Sequence, residues 1–289
     1  MTEPVRFGIN IDPAGRRLDE AFRLAKLADS EGIDLIGIQD HPYIQGFVDT
    51  LTLITSIAAR TGRVHLFPNV ANLPLRPPAM LAKQAATIDR LSQGRFELGL
   101  GAGSERNGDA IAGMGGPRRT TGQAREAMAE AIDVLRHSWA AKPYAFEGAH
   151  YSLPRVEPGP RPAHEIGIWL GVRGPRALRL LGEKADGWSV SSSYMPAEEL
   201  PGLNRIIDGA AREAGRDPGA ITRLYNVMGT VGGPDRPLEG PVERWVETLR
   251  DLATERGMNA FVFWPLDDHE AQIARFIREV VPAAREALA

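Results

Sequence analysis

The chain has 289 residues, 43% of them hydrophobic and 25% charged, with a formal net charge of −3 and no cysteine. Without cysteine there is no thiol nucleophile, no iron–sulfur cluster and no cysteine-ligated zinc, and a reducing compartment fits that composition. A chain this long buries a core large enough to need no disulfide or metal staple, and length allows one large α/β domain.

Charges of both signs are interspersed and the pI is near 6.1, so nothing suggests a nucleic-acid surface. No apolar run approaches the roughly 18 residues that span a bilayer. The start, Met1 to Pro4 and then a short apolar segment containing Arg6, does not resemble a signal peptide. A cytoplasmic protein without nucleic-acid or membrane partners is expected.

Short β-rich runs alternate with amphipathic helical windows along the chain. Val5 to Ile11 precedes helical spacing at Leu18, Ala21, Phe22, Ala25 and Ala28. Leu35 to Ile38 precedes a helix over Leu51 to Arg60, Val64 to Val70 one over Met80 to Leu91, and Phe96 to Leu100 one over Ala124 to Trp139. In the second half, Ile166 to Leu170 leads into Pro175 to Ala185, and Gly187 to Val190 into Leu203 to Ala214. Leu224 to Val231 leads into Trp245 to Ala253, and Ala260 to Phe263 into Ile273 to Val280.

Eight strand–helix units predict an α/β fold: a single (β/α)8 TIM barrel over residues 1–289, with loop insertions at the C-terminal face. The strands read as apolar runs because a parallel sheet is covered on both faces. Gly32, Gly62, Gly94 and Gly257 are placed to close helices just before the next strand. Lys142 to His164, rich in Pro and Gly, reads as a non-helical stretch that wraps the barrel.

Barrel chemistry sits at the C-terminal ends of the strands. The second strand ends in Gln39-Asp40-His41-Pro42-Tyr43, where a His beside an Asp suits acid–base work or hydrogen bonding to a ligand; a merely structural pair is the alternative. Asn69 and Asn72 end the third strand, as amides for a polar ring edge or for loop backbone. Glu97 to Ser104 alternates glycines that let backbone approach a ligand, but Arg106 replaces the last glycine of the dinucleotide fingerprint. Gly171-Val172-Arg173-Gly174-Pro175-Arg176 is a glycine-bounded turn into a helix, either a phosphate cradle or an ordinary helix start. Asp267, Asp268 and His269 read as a helix N-cap cluster, with no remote partner to complete a metal site. No Gly-x-Ser-x-Gly elbow occurs. The glycines of Ala112 to Thr120 suit a lid whose Arg118 or Arg119 meets an anionic substrate, or a solvated loop.

Taken together, these segments resemble the bacterial luciferase-like flavin and deazaflavin oxidoreductases. The resemblance rests on Asp40-His41, Arg76-Pro77-Pro78-Ala79-Met80-Leu81-Ala82, the run from Ala86 to Gly101, the Gly171 to Arg176 turn with Ala185-Asp186-Gly187-Trp188, and Phe276 to Pro282. It implies a flavin or deazaflavin across the barrel mouth. A non-proline cis peptide is implied at about Asn69–Val70, forming a bulge behind the ring. Gly101, Ala102, Gly103 and Ser104 would approach the cofactor tail, and Gly171, Val172, Arg173, Gly174 and Pro175 would bind its phosphate.

Asp40-His41 resembles the branch that uses coenzyme F420, with FMN as the alternative. The first implies hydride transfer to or from a small organic substrate, with His41 bonding the ring edge or a developing anion and Asp40 setting its tautomer or charge. The second implies an oxygen-using monooxygenase supplied by a flavin reductase. A third possibility is a cofactor-binding barrel without turnover. Family resemblance also implies a homodimer, formed through apolar surface on the second and third helices.

Overall fold

The computed structural model describes residues 4–289. The first half runs β1 (Arg6–Ile11), α1 (Leu18–Ser30), β2 (Leu35–Ile38), α2 (Thr50–Ala58), β3 (His65–Pro68), β4 (Ala71–Asn72), α3 (Pro78–Leu91) and β5 (Leu98–Gly101). A 3-10 turn at Glu105–Asn107, α4 (Gly108–Gly113), α5 (Thr121–Trp139) and the hairpin β6 (Tyr144–Glu147) and β7 (Ser152–Val156) follow. The second half contains β8 (Ile168–Leu170), α6 (Pro175–Lys184), β9 (Gly187–Ser191), α7 (Leu200–Glu213), β10 (Thr222–Gly229), α8 (Val242–Thr254), β11 (Ala260–Pro265), α9 (His269–Arg275), a π turn at Phe276–Val280 and α10 (Val281–Leu288).

The large sheet runs in the order β3-β2-β1-β11-β10-β9-β8-β5-β4, and all its pairings are parallel. β3 and β4 are two halves of one strand, interrupted at Asn69–Val70, where the peptide is cis as expected. Leu66 bridges to Phe96 in parallel, with Leu66 N donating to Arg95 O at 2.9 Å and Glu97 N to Leu66 O at 3.0 Å. That contact joins the two ends of the sheet and makes the eight-unit barrel.

Inside the barrel, Leu35, Phe67, Trp169, Leu224, Ala260 and Val262 form one buried cluster. Phe67 meets the Trp169 ring edge-on at 5.0 Å, a favoured aromatic geometry. The outward-facing side chains of the strands join the inner faces of the helices in a second, larger core that includes Phe7, Ile9, Ile54, Trp188, Trp245 and Phe276.

The helix ends carry local signals. Asp49 caps α2 by accepting from Thr52 N at 2.9 Å, and Thr120 with Gln123 forms a capping box on α5. Gly32, Gly94 and Gly257 do close their units in the left-handed region. Gly62 does not; its amide donates instead to the Asp29 carboxylate at 2.9 Å. Asp268 stands at the N-cap of α9 as expected, though without a side-chain capping bond. The wrapping stretch contains the β6–β7 hairpin, an antiparallel pair that its proline and glycine content conceals.

That stretch is clasped to the barrel at His164. Asp89, fully buried near the end of α3, accepts from the backbone of Ala163 at 2.6 Å and His164 at 3.1 Å, and from His164 Nδ1 at 2.7 Å. His164 Nε2 lies 3.4 Å from Glu97. Bonds to Asp89 and then Glu97 push the His164 pKa up to about 10. Because the folded value lies above the ordinary value of 6.5, the charged clasp stabilises fully below about pH 6.5, and its contribution fades as pH rises through about 10. His164→Gln should therefore lower the melting temperature most near pH 6, and the gap from wild type should narrow towards pH 10. A gap constant across that range in thermal melts would contradict the clasp.

Candidate active site

The strand interruption shapes the barrel mouth. Val70 points its methyl groups at places where its neighbours have no side chain. A Cβ at Gly101 would lie 2.7 Å from Val70 Cγ2, one at Gly171 2.9 Å from the same atom, and one at Gly99 3.1 Å from Cγ1. A Cβ at Gly99 would also collide with the Pro68 carbonyl oxygen. The alternating glycines of β5 thus make room for this bulge, a contact within the protein. Asn69 turns the other way. Its Nδ2 donates to Asn226 Oδ1 at 2.7 Å and its Oδ1 accepts from Ser189 Oγ at 2.9 Å, so its amide is spent inside the barrel. Asn10, fully buried at the end of β1, has neither amide atom bonded to protein.

Asp40 and His41 take separate roles. Asp40 is 2% exposed and its carboxylate holds Arg76 through two contacts, Nε at 2.7 Å and Nη2 at 2.8 Å. It also accepts from Asn72 N at 2.8 Å. Arg76 Nη2 reaches on to Asp49 at 2.7 Å. Burial alone would lower the Arg76 pKa, but bonds to Asp40 and Asp49 raise it further above its ordinary value, so it stays charged. Asp49 is held below the usual carboxylate range, since the Arg76 and Thr52 bonds outweigh burial. The expected direct Asp40–His41 pair does not form: the Asp40 oxygens are committed to Arg76 and to Asn72.

His41 Nδ1 lies instead 2.9 Å from Tyr43 Oη. Asn107 Nδ2, on the turn after β5, donates to that phenol at 2.8 Å. Thr50 Oγ1, from the first turn of α2, holds the Gln39 carbonyl at 2.7 Å and fixes the strand end before Asp40. Burial lowers the His41 pKa and the Asp40 charge only partly opposes it, so the imidazole is neutral at neutral pH.

Beside this mouth lies a cavity of about 820 Å3 between the β5 loop, α5 and the start of α6. Ala102, Gly103 and Ser104 form one wall, and Gly171, Val172, Arg173, Gly174 and Pro175 the other. The two segments expected to share a cofactor are thus brought together. Asp40, His41, Asn69, Val70 and Gly101 do not line this cavity; Val70 is the link, since it packs where Gly101 and Gly171 lead into the two walls.

Arg106, Arg119, Arg125 and Arg176 join Arg173 around the space, against the single carboxylate of Glu105. Among the described residues, Arg106, Arg119, Arg173 and Arg176 make no ion pair, whereas Arg125 pairs with Glu126. The Arg173 guanidinium lies over the Tyr194 ring at 5.1 Å. Helix α6 starts at Pro175 with Gly174 as its N-cap, on the wall of the same space. Pro175 has no N–H and the Ala177 and Leu178 amides donate to the Gly174 carbonyl at 2.9 Å, which leaves the Arg176 amide without a partner in the helix. A Cβ on Gly174 would meet nothing within 4 Å. Of the loop arginines, Arg119 lines the cavity and stacks on Tyr151 at 5.4 Å, whereas Arg118 pairs with Asp109 outside it.

Tyr43, Asn107, Arg76 and Tyr194 received no role from the sequence. Tyr43 stood in view two residues after His41 across a proline turn, but Asn107 and Arg76 reach the site only through tertiary structure.

A family model described as luciferase-like monooxygenase matches residues 4–246. An F420-dependent glucose-6-phosphate dehydrogenase of Microbacterium testaceum is 25% identical over 96% of this chain and 89% of its own. A 5,10-methylenetetrahydromethanopterin reductase of Archaeoglobus fulgidus is 29% identical over 75% of this chain and 61% of its own. In shape, the chain is similar to an F420-dependent secondary alcohol dehydrogenase solved with an F420–acetone adduct. The TM-score is 0.86 at 19% identity, over 98% of this chain and 99% of that one.

Proposed function

The chain belongs to the luciferase-like monooxygenase family, and from that premise we propose that it is an oxidoreductase transferring hydride between coenzyme F420 and a small organic substrate. The observation that carries this reading is the arginine-lined cavity at the start of α6. Four arginines without carboxylate partners, Arg106, Arg119, Arg173 and Arg176, line this space together with the start of α6. That chemistry fits a phosphate-bearing cofactor. The choice of F420 over FMN rests on relatives whose similarity runs through the greater part of this chain. The phosphate site lies after β8, the fifth stave, not after the last two staves as in many barrels.

When bound, the deazaflavin supplies a ring carbon that accepts or donates hydride and does not readily activate oxygen. The protein's own residues do the rest. Arg173, Arg176 and the backbone at the start of α6 would hold the phosphate. Val70 would stand behind the ring. His41, neutral because it is desolvated, takes or returns the proton that must move when hydride leaves or joins a carbon bearing oxygen. Asp40 acts at one remove, by fixing the loop that carries His41 through Arg76.

Fluorescence titration of the purified apoprotein with F420 and, separately, FMN tests this assignment. Saturable F420 binding at least tenfold tighter than FMN is expected. The reverse preference would move the protein to oxygen chemistry supplied by a flavin reductase. Bound F420 without turnover across candidate alcohols and carbonyls would leave a binding barrel.

The same reading includes a homodimer. Met80 is 52% and Leu91 61% exposed, eleven positions apart and so about three turns along one face of α3. Apolar side chains of this size left open on one helix face suit a second copy of the chain. Light scattering should give twice the mass of one 31.4 kDa chain, and the single-chain mass would contradict it.

A further inference from the structure

We propose that Tyr43 and Asn107 are positioning residues that hold the neutral imidazole of His41 as its Nε2–H tautomer, with that proton facing the barrel mouth. The inference deepens the function proposed above and rests on His41 lying at the reacting end of that site.

Its basis is the direction of a short hydrogen-bond chain. An amide NH2 donates and has no acceptor capacity, so the 2.8 Å contact from Asn107 Nδ2 occupies a lone pair of the Tyr43 oxygen. Among the described residues, the remaining partner of that phenol is His41 Nδ1 at 2.9 Å. Burial, followed by the Asp40 charge, raises the Tyr43 pKa, so its proton is retained. That proton therefore points to Nδ1, which accepts it with a lone pair, and the ring hydrogen is left on Nε2.

The charged groups around the imidazole agree with a neutral ring. Asp40 is the acid that faces it, and Asp40 is matched by Arg76, which also holds Asp49. The chain also ties two loops together. Tyr43 follows β2 and Asn107 follows β5, so the contact crosses above β4 and holds both sides of the mouth. In the resting enzyme His41 then presents a donor, suited to a carbonyl or alkoxide oxygen. To accept a proton on Nε2 instead, it must first pass its Nε2 hydrogen on or exchange tautomer through Tyr43.

The prediction is read directly from the nitrogen shifts of histidine in long-range proton–nitrogen NMR spectra, with the His41 signal assigned by its loss in His41→Gln. At about pH 8, where the ring is neutral, wild-type His41 should show Nδ1 unprotonated and Nε2 protonated. Asn107→Asp replaces the donor by an acceptor. The phenol proton should then turn to the new carboxylate, and the tautomer should reverse. Tyr43→Phe should leave a mixture of the two forms. Both variants should bind F420 as wild type does and lose about tenfold or more in kcat, a part of the ~10²–10⁴-fold that a positioned acid or base contributes.

A wild-type Nδ1–H form, or an Asn107→Asp spectrum unchanged from wild type, would overturn the proposal. Turnover that survives His41→Gln would instead remove the catalytic role of His41, while the tautomer result would stand by itself. The spectrum and the rate thus fail separately.

Discussion

The side chain of Val70 needs space that Gly99 and Gly101 on β5 and Gly171 just past β8 supply, and much of the barrel mouth follows from that packing. Side chains at Gly99, Gly101 or Gly171 would overlap Val70, and one at Gly99 would strike the Pro68 carbonyl as well. Because Val70 turns towards β5 and β8, Asn69 turns into the barrel and joins Asn226 and Ser189. The strand then resumes as β4, in register with β5 through Ala71 and Asn72. Beyond the same glycines, the chain continues into the two walls of the arginine-lined cavity. One packing arrangement therefore places both the Val70 bulge and the walls of that cavity.

A second constraint fixes the loop with His41. A buried Arg–carboxylate pair adds little net stability compared with apolar packing, because both charges lose water; removing one partner alone is costly, about 3–5 kcal/mol. What the Arg76–Asp40–Asp49 group supplies is position. It joins the end of β2, the N-cap of α2, and the segment between β4 and α3, and it joins them with bidentate geometry that a flexible lysine cannot reproduce. The negative charge next to His41 in sequence is neutralised by the same contact, which lets desolvation keep the ring uncharged.

The eight units were legible because each needs only local periodicity: an apolar run, a turn, and a helix with one buried face. β2 and the last residue of α3 fall where the pattern puts them. The end of the third strand does not, since nothing local marks the break at Asn69–Val70; only the resemblance to known proteins pointed there. Asp40 was linked to His41 because they adjoin in sequence, whereas its oxygens face a guanidinium 36 positions away. Neighbouring residues at a strand end diverge in direction, so adjacency is weak evidence of contact. Gly99 and Gly101 were visible as glycines but ambiguous in cause, because protein and ligand make the same demand for space. Of the cavity arginines, the glycine turn flagged Arg173 and Arg176 and the lid loop Arg119, whereas Arg106 and Arg125 became part of the site through the barrel's closure.

The central claim is geometric: one cofactor spans His41, Val70 and the start of α6. A crystal structure of the protein with F420 bound tests it most directly. The account places the ring against Val70 with His41 Nε2 facing it, and the phosphate at Gly174 and Pro175 between Arg173 and Arg176. A phosphate held at the ends of β10 and β11, with the α6 N-terminus left to solvent, would contradict it.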